Sequence, residues 1–579
     1  MRDLQKIQEK KNEWLDIVLK PALARFKLKE SPTQFYTPVD VRDFNFLEKV
    51  GFPGSYPFTA GTYPLYPYTA GAKGAGFVQS APGLRRAGRY SGYGTPEDTR
   101  DYYQHMYALG ARVGPNLAFD LPTQCGYDSD NPLIRGEAGK TGVAVDSLRD
   151  FEIIYEAFVG DQDLDKIASN FTINAPANII MAMYIALAEK RGIPINKLRA
   201  TPQNDILKEF VARGTYIFPP RPSMRMFRDG LTFFNKHLPS VNIISICGVH
   251  IREAGATREQ DLAFTIANGI AYLQEGVKAG LEVDSFANQF TFAGFGGSTE
   301  LFQEVAFQRA ARRMWARILK EKFNVRSERS MLIRQPAGAH AGYSTMTVQR
   351  PLNNLVRAVV GAIAGALSGA PPNVMPPYDE ALGLGWSLEA IQLAEDAGRI
   401  LQYEAKLTEV MDPLAGSYYV ETLTDEIEEK AWKELEKIEV LGGAVTAIES
   451  GYIQREIMKS AYERQKKIEK GEEVIVGVNS FTGESELEVT TTRIVPHPYD
   501  PEKREQAEQK QIAKLAEIKR IRDNCRVLQL LKELQEAAKK EEVNLMPHFI
   551  ECVKAYATEQ EICDVLRGVF GEYEAPSVF

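Results

Sequence analysis

Residues 168–191 read ASNFTINAPANIIMAMYIALAEKR. A short β-prone run centred on Phe171 gives way, across Asn174-Ala175-Pro176, to a longer apolar run from Ala177 whose spacing is helical. Strands bury alternate residues and helices bury every third or fourth, so this change of period predicts a strand feeding a helix. The same succession recurs on both sides. Short apolar runs centre near Tyr90, Leu117, Phe171, Ala200, Ile244, Phe290, Ile333 and Val374. Most precede a helical stretch such as EDTRDYYQHMYALG, EQDLAFTIANGIAYLQEG or ELFQEVAFQRAARRMWARILKEK. Strands alternating with helices predict a parallel sheet, and eight units in about 300 residues suggest a (β/α)8 barrel. Spacing alone leaves a doubly wound α/β sheet as the rival.

Outside this stretch the character changes. Residues 1–45 predict a helix followed by an arm. Residues 50–90 are rich in Gly, Pro and Tyr; turn formers break every regular element there, and so many aromatics argue against a free linker. Residues 420–579 predict helices with mixed Lys and Glu, which a solvated face or a helical subunit contact would each explain.

Composition bounds the function. The chain has 579 residues, 44% hydrophobic and 25% charged, which excludes a disordered chain, a collagen-like repeat and a disulfide scaffold. With 69 basic against 77 acidic residues the net charge is −8, so no field for nucleic acid is expected. Five scattered cysteines without a CxxC give no zinc or iron–sulfur spacing and point to a reducing compartment. The N-terminal MRDLQKIQEKKNEWLDIVLK lacks a secretory apolar run. The apolar stretch near Ile179–Ala188 is too short for a bilayer. A soluble cytoplasmic protein without membrane contact is expected.

No P-loop, GxGxxG, HExxH or GxSxG occurs. In a barrel the chemistry gathers where strands end. AFDLPTQCGYDSDNP offers Asp120, Thr123, Tyr127, Asp128 and Asp130, which a capped turn also explains. NFTINAP offers Thr172 and Asn174. TPQNDILKEFVARGTY offers Gln203 and Arg213, with Asn204 or Asp205 as a helix N-cap. An outward Arg213 would be solvated; an inward one needs a carboxylate or phosphate. His250, in VNIISICGVHIREAGAT, suits a core histidine or a donor to a substrate carbonyl, and both readings stay open.

Six blocks in order carry a resemblance: RYSGYGTPEDTRDYYQHMYALG (89–110), LAFDLPTQCGYDSDNP (117–132), TPQNDILKEFVARGTYIFPPRPSMR (201–225), HIREAGAT (250–257), YDEALGLG (378–385) and MDPLAGSYYVE (411–421). Together they resemble the large subunit of the coenzyme-B12-dependent acyl-CoA mutases, the methylmalonyl-CoA mutase family, from about residue 45 onward. The resemblance implies an α/β fold: a (β/α)8 TIM barrel over 61–420 that admits acyl-CoA along its axis, an N-terminal helix and arm over 1–60 and a helical C-terminal region over 421–579. The Asp-x-His-x-x-Gly cobalt-ligand motif is absent, so a separate small cobalamin-binding subunit is expected, in a hetero-oligomer that a GTPase chaperone could serve. No metal ligand is assigned to this chain. Adenosylcobalamin is the implied cofactor, and the implied reaction is a radical 1,2-carbon-skeleton rearrangement of a carboxylated acyl-CoA.

The same resemblance assigns Tyr90, Gln203, Arg213 and His250 to catalysis: Tyr90 beside the adenosyl group, Gln203 and His250 around the thioester carbonyl, Arg213 on the free carboxylate. It gives substrate or CoA contacts to Tyr63, Arg86, Arg89, Asn116, Asn170, Thr172, Thr201, Gln289, Thr291 and Arg334. It gives cofactor contacts to Tyr90, Gly92, His340 and Glu380. Departures from the family are as specific. Val249 stands where Tyr usually precedes the histidine, and QFTFAGFGGSTE (289–300) replaces a bulky aromatic segment. Both predict a roomier acyl site. An insertion around YTAGAKGAGFVQ (68–79) and altered segments at 334–338 and 374–377 touch the CoA and adenosyl contacts. The alternative they raise is a non-catalytic mutase-like subunit that supports assembly.

Overall fold

The structure is a computed structural model that describes residues 2–25, 27–30, 36–41, 44–64, 92–108, 114–334, 345–370, 375–382, 387–483 and 501–576. Its framework is parallel α/β. Strands β1 (Asn116–Ala118), β2 (Ser169–Thr172) and β3 (Ala200–Pro202) form one parallel sheet in that order. β4 (Ile244–Cys247) and β5 (Phe290–Gly294) pair in a second. Five of the eight expected runs are therefore strands, each followed by a helix.

The described strands form two short parallel sheets, and no closed eight-stranded barrel is formed among the described residues. The runs near Tyr90 and Val374 lie outside the described residues. The run at Ile333 is extended and touches β5 through one backbone bond, Phe292 N–H to the Arg334 carbonyl at 2.8 Å. β3 and β4 meet through only two backbone bonds, Asn242 N–H to Ala200 O (2.8 Å) and Ser245 N–H to Gln203 O (2.9 Å). The cause is local. β3 is three residues long, and Asn204, at φ 52°, turns the chain out of the sheet as Asn tolerates better than most residues.

One face of each strand packs on helices. Phe119, Phe171 and Tyr184 meet ring to ring, with centroids 6.2 and 5.3 Å apart. Phe292 meets Trp315 at 5.1 Å. The helix Ala177–Lys190 is buried from Ala177 to Ala188 because it lies between these strands and a C-terminal helix, Met546–Lys554. That double cover explains why its sequence is apolar all round. The helix Tyr418–Val440 likewise backs Arg258–Lys278 and Leu301–Glu321. No helix among the described residues is long and apolar enough to cross a membrane.

Three consecutive-turn arginines on Leu301–Glu321 join distant segments. Arg309 pairs with Asp412 and, at 2.5 Å, with Glu421. Arg312 donates to the Phe58 and Thr59 carbonyls at 2.8 and 2.6 Å. Arg313 holds Glu428 (2.5 Å) and Asp425 (2.7 Å).

The aspartates after β1 are structural. Asp120 caps the turn Leu121–Gln124, accepting from Thr123 N–H at 3.0 Å, and also accepts from Gly139 N–H at 2.6 Å. Asp128 and Asp146 sit in a buried acidic cluster with Asp150 and Glu559, closed by Gln511, Lys514 and Lys519 from the C-terminal helices. Glu559 is wholly buried, and neither carboxylate oxygen has a hydrogen-bond partner among the described residues. Burial, and then the neighbouring Asp128 and Asp146, push its carboxyl well above the ordinary 4.5. A raised folded value means that its contribution to stability is fully present below the unfolded value and is lost as pH rises toward the folded one. Glu559→Gln should therefore match the parent at about pH 4 and be more stable by about 1–3 kcal/mol at about pH 8. Thermal unfolding at the two pH values checks this, and equal midpoints for both proteins at the higher pH would refute it.

Candidate functional site

The strand faces turned away from the helices are polar. Asn116, Asn170 and Thr201 stand opposite one another across β1, β2 and β3, and Thr172 stands opposite Ala118. Asn170 is exposed while its strand neighbours Ser169 and Phe171 are buried. Strand alternation accounts for this: Phe171 faces the helices, so Asn170 must face the other way. Thr201 Oγ1 accepts from Asn242 Nδ2 at 2.7 Å and so continues the row toward β4.

At the C-terminal ends of β2, β3 and β4 a second group gathers, with Asp205 as its clasp. Its backbone N–H donates to Asn174 Oδ1 (2.9 Å); its carboxylate accepts from Cys247 N–H (2.7 Å) and the Tyr272 hydroxyl (2.7 Å). One residue thus ties three strand ends together. Asp205 occupies the N-cap position before Ile206, yet its side chain does not cap that helix, which corrects the sequence-based expectation. Burial pushes its carboxyl up to about 6, against the pull of Lys208.

Gln203 is buried in this group. Its Oε1 accepts from Asn174 Nδ2 at 3.0 Å and from Lys208 Nζ at 2.8 Å. Lys208 and Glu209 have no exposed side-chain surface and pair at 2.5 Å. Glu209 Oε1 also accepts from Asn174 Nδ2 (2.6 Å), and Oε2 accepts from Thr215 N–H and Oγ1. Burial works to raise the Glu209 carboxyl, but Lys208 and Arg213 outweigh it and hold it below the ordinary carboxylate value.

Arg213 ends a π-turn, Glu209–Arg213, in which Gly214 N–H reaches back to the Glu209 carbonyl at 2.8 Å. Gly214, at φ 87°, stops the helix there. Such wide turns concentrate at functional sites because they re-aim a side chain within a helix. Arg213 Nη1 lies 3.6 Å from Glu209 Oε1, with a quarter of the side chain exposed. Nη1 itself is buried and makes no hydrogen bond among the described residues. A buried guanidinium nitrogen without an acceptor is costly, so this geometry is what an anionic ligand would complete.

His250 lies on the turn Val249–Glu253, which packs against the Glu209–Arg213 turn. Its Nδ1 is 3.4 Å from Cys247 Sγ. Burial pushes the Cys247 thiol up to about 11, so it stays an S–H and is not a nucleophile. An S–H donated to Nδ1 leaves the Nε2 hydrogen as the imidazole's donor. Gln203, Arg213 and His250 thus combine amide, guanidinium and imidazole donors without an activated nucleophile. That set can hold a carbonyl and a carboxylate but cannot open a covalent acyl path.

The remaining expected residues separate. Gln289 precedes β5, and its amide hydrogens hold the Leu238 and Val241 carbonyls at 3.3 and 2.9 Å. Thr291 donates to the Ile244 carbonyl at 2.9 Å. Both serve the sheet. Arg334 hydrogen-bonds the Tyr63 hydroxyl and the Asn288 carbonyl; burial lowers the guanidinium and raises the phenol. Gly92, at φ 136°, lets the backbone pass close to β1, where a Cβ would collide with the Ala118 carbonyl. Gly248 and Gly296 likewise mark close approaches, to Asp261 and Arg252. Tyr90, Arg86, Arg89 and His340 lie outside the described residues.

Comparison with known proteins decides the family: the model of methylmalonyl-CoA mutase matches residues 28–572. The chain belongs to the methylmalonyl-CoA mutase family. As a member of that family it is an isomerase of the acyl-CoA mutase class. It is similar to the 2-hydroxyisobutanoyl-CoA mutase large subunit of Aquincola tertiaricarbonis, 40% identical over 94% of this chain and 91% of that one. It is similar to the methylmalonyl-CoA mutase of Rhizobium meliloti, 38% identical over 86% of this chain and 68% of the other. The methylmalonyl-CoA mutase large subunit of Streptomyces virginiae is 35% identical over 93% of this chain and 70% of its own length.

Methylmalonyl-CoA mutases use adenosylcobalamin. Of the residues that the resemblance assigns to it, Gly92 and Glu380 are described. Glu380 opens the half-buried turn Glu380–Leu382. Beside it, buried Asp379 accepts from Ser387 N–H at 2.7 Å through Oδ2, while its buried Oδ1 has no hydrogen-bond partner among the described residues. Two carboxylates on one turn, one with an unmatched acceptor, fit the hydroxyls of a ribose.

The sequence reading missed Asp205, Lys208, Glu209 and Cys247 as parts of the site. The available signal was NDILKE itself: three charged residues between apolar ones, directly after a strand.

Proposed function

We propose that this chain is the catalytic large subunit of an adenosylcobalamin-dependent mutase that rearranges the carbon skeleton of a carboxylated acyl-CoA. The observation that carries this reading is the buried, unmatched Arg213 nitrogen on a turn packed against the His250 turn and linked through Glu209 to Gln203. The described strands are read as one arc of a (β/α)8 barrel, with the CoA chain running past the polar row Asn116, Asn170 and Thr201.

Arg213 fixes the substrate carboxylate; Gln203 and His250 donate to the thioester carbonyl. Held at both ends, the acyl group turns one face toward the cofactor, and orientation of this kind is the larger part of what such a site contributes. Adenosylcobalamin, when bound, would supply the carbon-centred radical that removes a substrate hydrogen. The two donors on the carbonyl stabilise charge building on that oxygen as the thioester-bearing carbon migrates. Burial around Gln203 and Asp205 keeps water from the reacting carbons.

The absence of an aromatic side chain at Val249, and the small residues Gly294, Gly296, Gly297 and Ser298, support a substituent larger than that of methylmalonyl-CoA. The large-subunit names of two relatives support a separate cobalamin-binding partner. The test combines this chain, a small cobalamin-binding subunit, adenosylcobalamin and a panel of CoA esters. Turnover is expected for a branched carboxylated ester and is expected to require both subunits. Failure to turn over any carboxylated ester would overturn the proposal and favour the assembly-only reading.

A further inference from the structure

Lys208 and Glu209 lie beneath the three donors and are wholly buried. Their effect on Gln203 follows from donor and acceptor counting. The Asp205 N–H can only donate, so Asn174 must present Oδ1 to it, at 2.9 Å. Asn174 Nδ2 therefore points the other way, to Gln203 and Glu209. The Lys208 ammonium also only donates, so the Gln203 atom 2.8 Å away must be Oε1. Both acceptor sites of that oxygen are then filled, and Gln203 Nε2 donates to no group among the described residues. The amide orientation is thus set by groups that cannot reverse their roles, and the two N–H hydrogens are left for a ligand. Glu209 closes the network: it holds Lys208, Asn174 and Thr215 and lies 3.6 Å from Arg213 Nη1.

We propose that Lys208 and Glu209 are positioning residues: Lys208 locks the Gln203 amide with its N–H hydrogens toward the thioester carbonyl, and Glu209 aims Arg213 at the substrate carboxylate. The inference deepens the proposed function and rests on it. It divides two recognition tasks between adjacent residues of one buried ion pair. Without Lys208 one acceptor site of Gln203 Oε1 opens and Asn174 Nδ2 alone holds the amide, so its N–H hydrogens are aimed less firmly at the thioester carbonyl. Without the Glu209 charge Arg213 loses its anchor while Gln203 keeps Lys208.

The test is calorimetric binding to the full-length chain with three probes. Succinyl-CoA carries both recognised groups; S-(3-carboxypropyl)-CoA, a thioether, lacks the thioester carbonyl; butyryl-CoA lacks the carboxylate. The parent is expected to prefer succinyl-CoA over the thioether by about tenfold, the scale of one well-made hydrogen bond. Gln203→Met should abolish that preference, Lys208→Met should cut it to about threefold because Asn174 still holds the amide, and the double variant should lose no more than Gln203→Met alone. The preference for succinyl-CoA over butyryl-CoA should survive Lys208→Met and fall in Glu209→Gln. Because Lys208→Met leaves a buried carboxylate with one cation fewer, Lys208→Met/Glu209→Gln is measured beside it; with neither charge present it should fold and show both preferences reduced. A carbonyl preference undiminished in Lys208→Met, or in the neutral pair, overturns the inference alone. Equal affinity of the parent for succinyl-CoA and the thioether overturns the functional reading on which it rests.

Discussion

Arg213→Ala is expected to lower kcat/KM for a carboxylated acyl-CoA by about 10²-fold, roughly 3 kcal/mol, with most of the loss in KM. The size follows from the setting. The guanidinium is three-quarters covered, its Nη1 is buried without a hydrogen-bond partner among the described residues, and the ion pair to Glu209 is long at 3.6 Å. Its charge is therefore only partly satisfied within the protein, and a bidentate carboxylate would be its strongest partner. Esters that end in a methyl group should be affected far less. Steady-state kinetics with a matched pair of esters checks this, and an equal loss on both would remove Arg213 from carboxylate recognition. Arg213→Lys should recover only part of the loss, because a single ammonium cannot match the two-pronged geometry.

Arg309→Met is expected to destabilise the chain by about 3–5 kcal/mol, the cost of leaving buried charges uncompensated. Arg309, Asp412 and Glu421 have essentially no exposed side-chain surface, and both carboxylates depend on this guanidinium. Urea unfolding should show the loss directly. The triple variant Arg309→Met/Asp412→Asn/Glu421→Gln should return to within about 1–2 kcal/mol of the parent, since a neutral, well-packed replacement of a buried ion cluster is often tolerated. If the triple variant stays as unstable as the single one, the arginine acts through packing rather than charge.

The parts of this protein that could be read in advance are those in which cause and effect lie close in the chain. The strand at Phe171 and the helix behind it follow from a change of hydrophobic period within 24 residues, and the Asp120 cap follows from its own turn. The Asn116–Asn170–Thr201 row depends on the register between strands, which periodicity does not carry. Asp205 shows the limit most clearly. Its position marks a helix start, but its carboxylate serves Cys247 and Tyr272, 42 and 67 residues away. Lys208 and Glu209 resemble any pair of surface charges until the sheet and the Thr215 turn cover them. The eight-unit spacing overstated what the described strands pair into, because short strands joined by two hydrogen bonds leave the same apolar rhythm as long ones.

The acidic cluster behind β1 has a consequence for synthesis. Asp146 and Asp150 take their amide partner from Gln511, more than 360 residues later, and Asp128 pairs with Gln560, 432 residues later. At about 5–20 residues per second the ribosome delivers Gln511 roughly 20–70 s after these aspartates emerge. Until then these aspartates lack the lysines that pair with them, Lys514 and Lys519, which arrive on the same helix as Gln511, Pro501–Ile521.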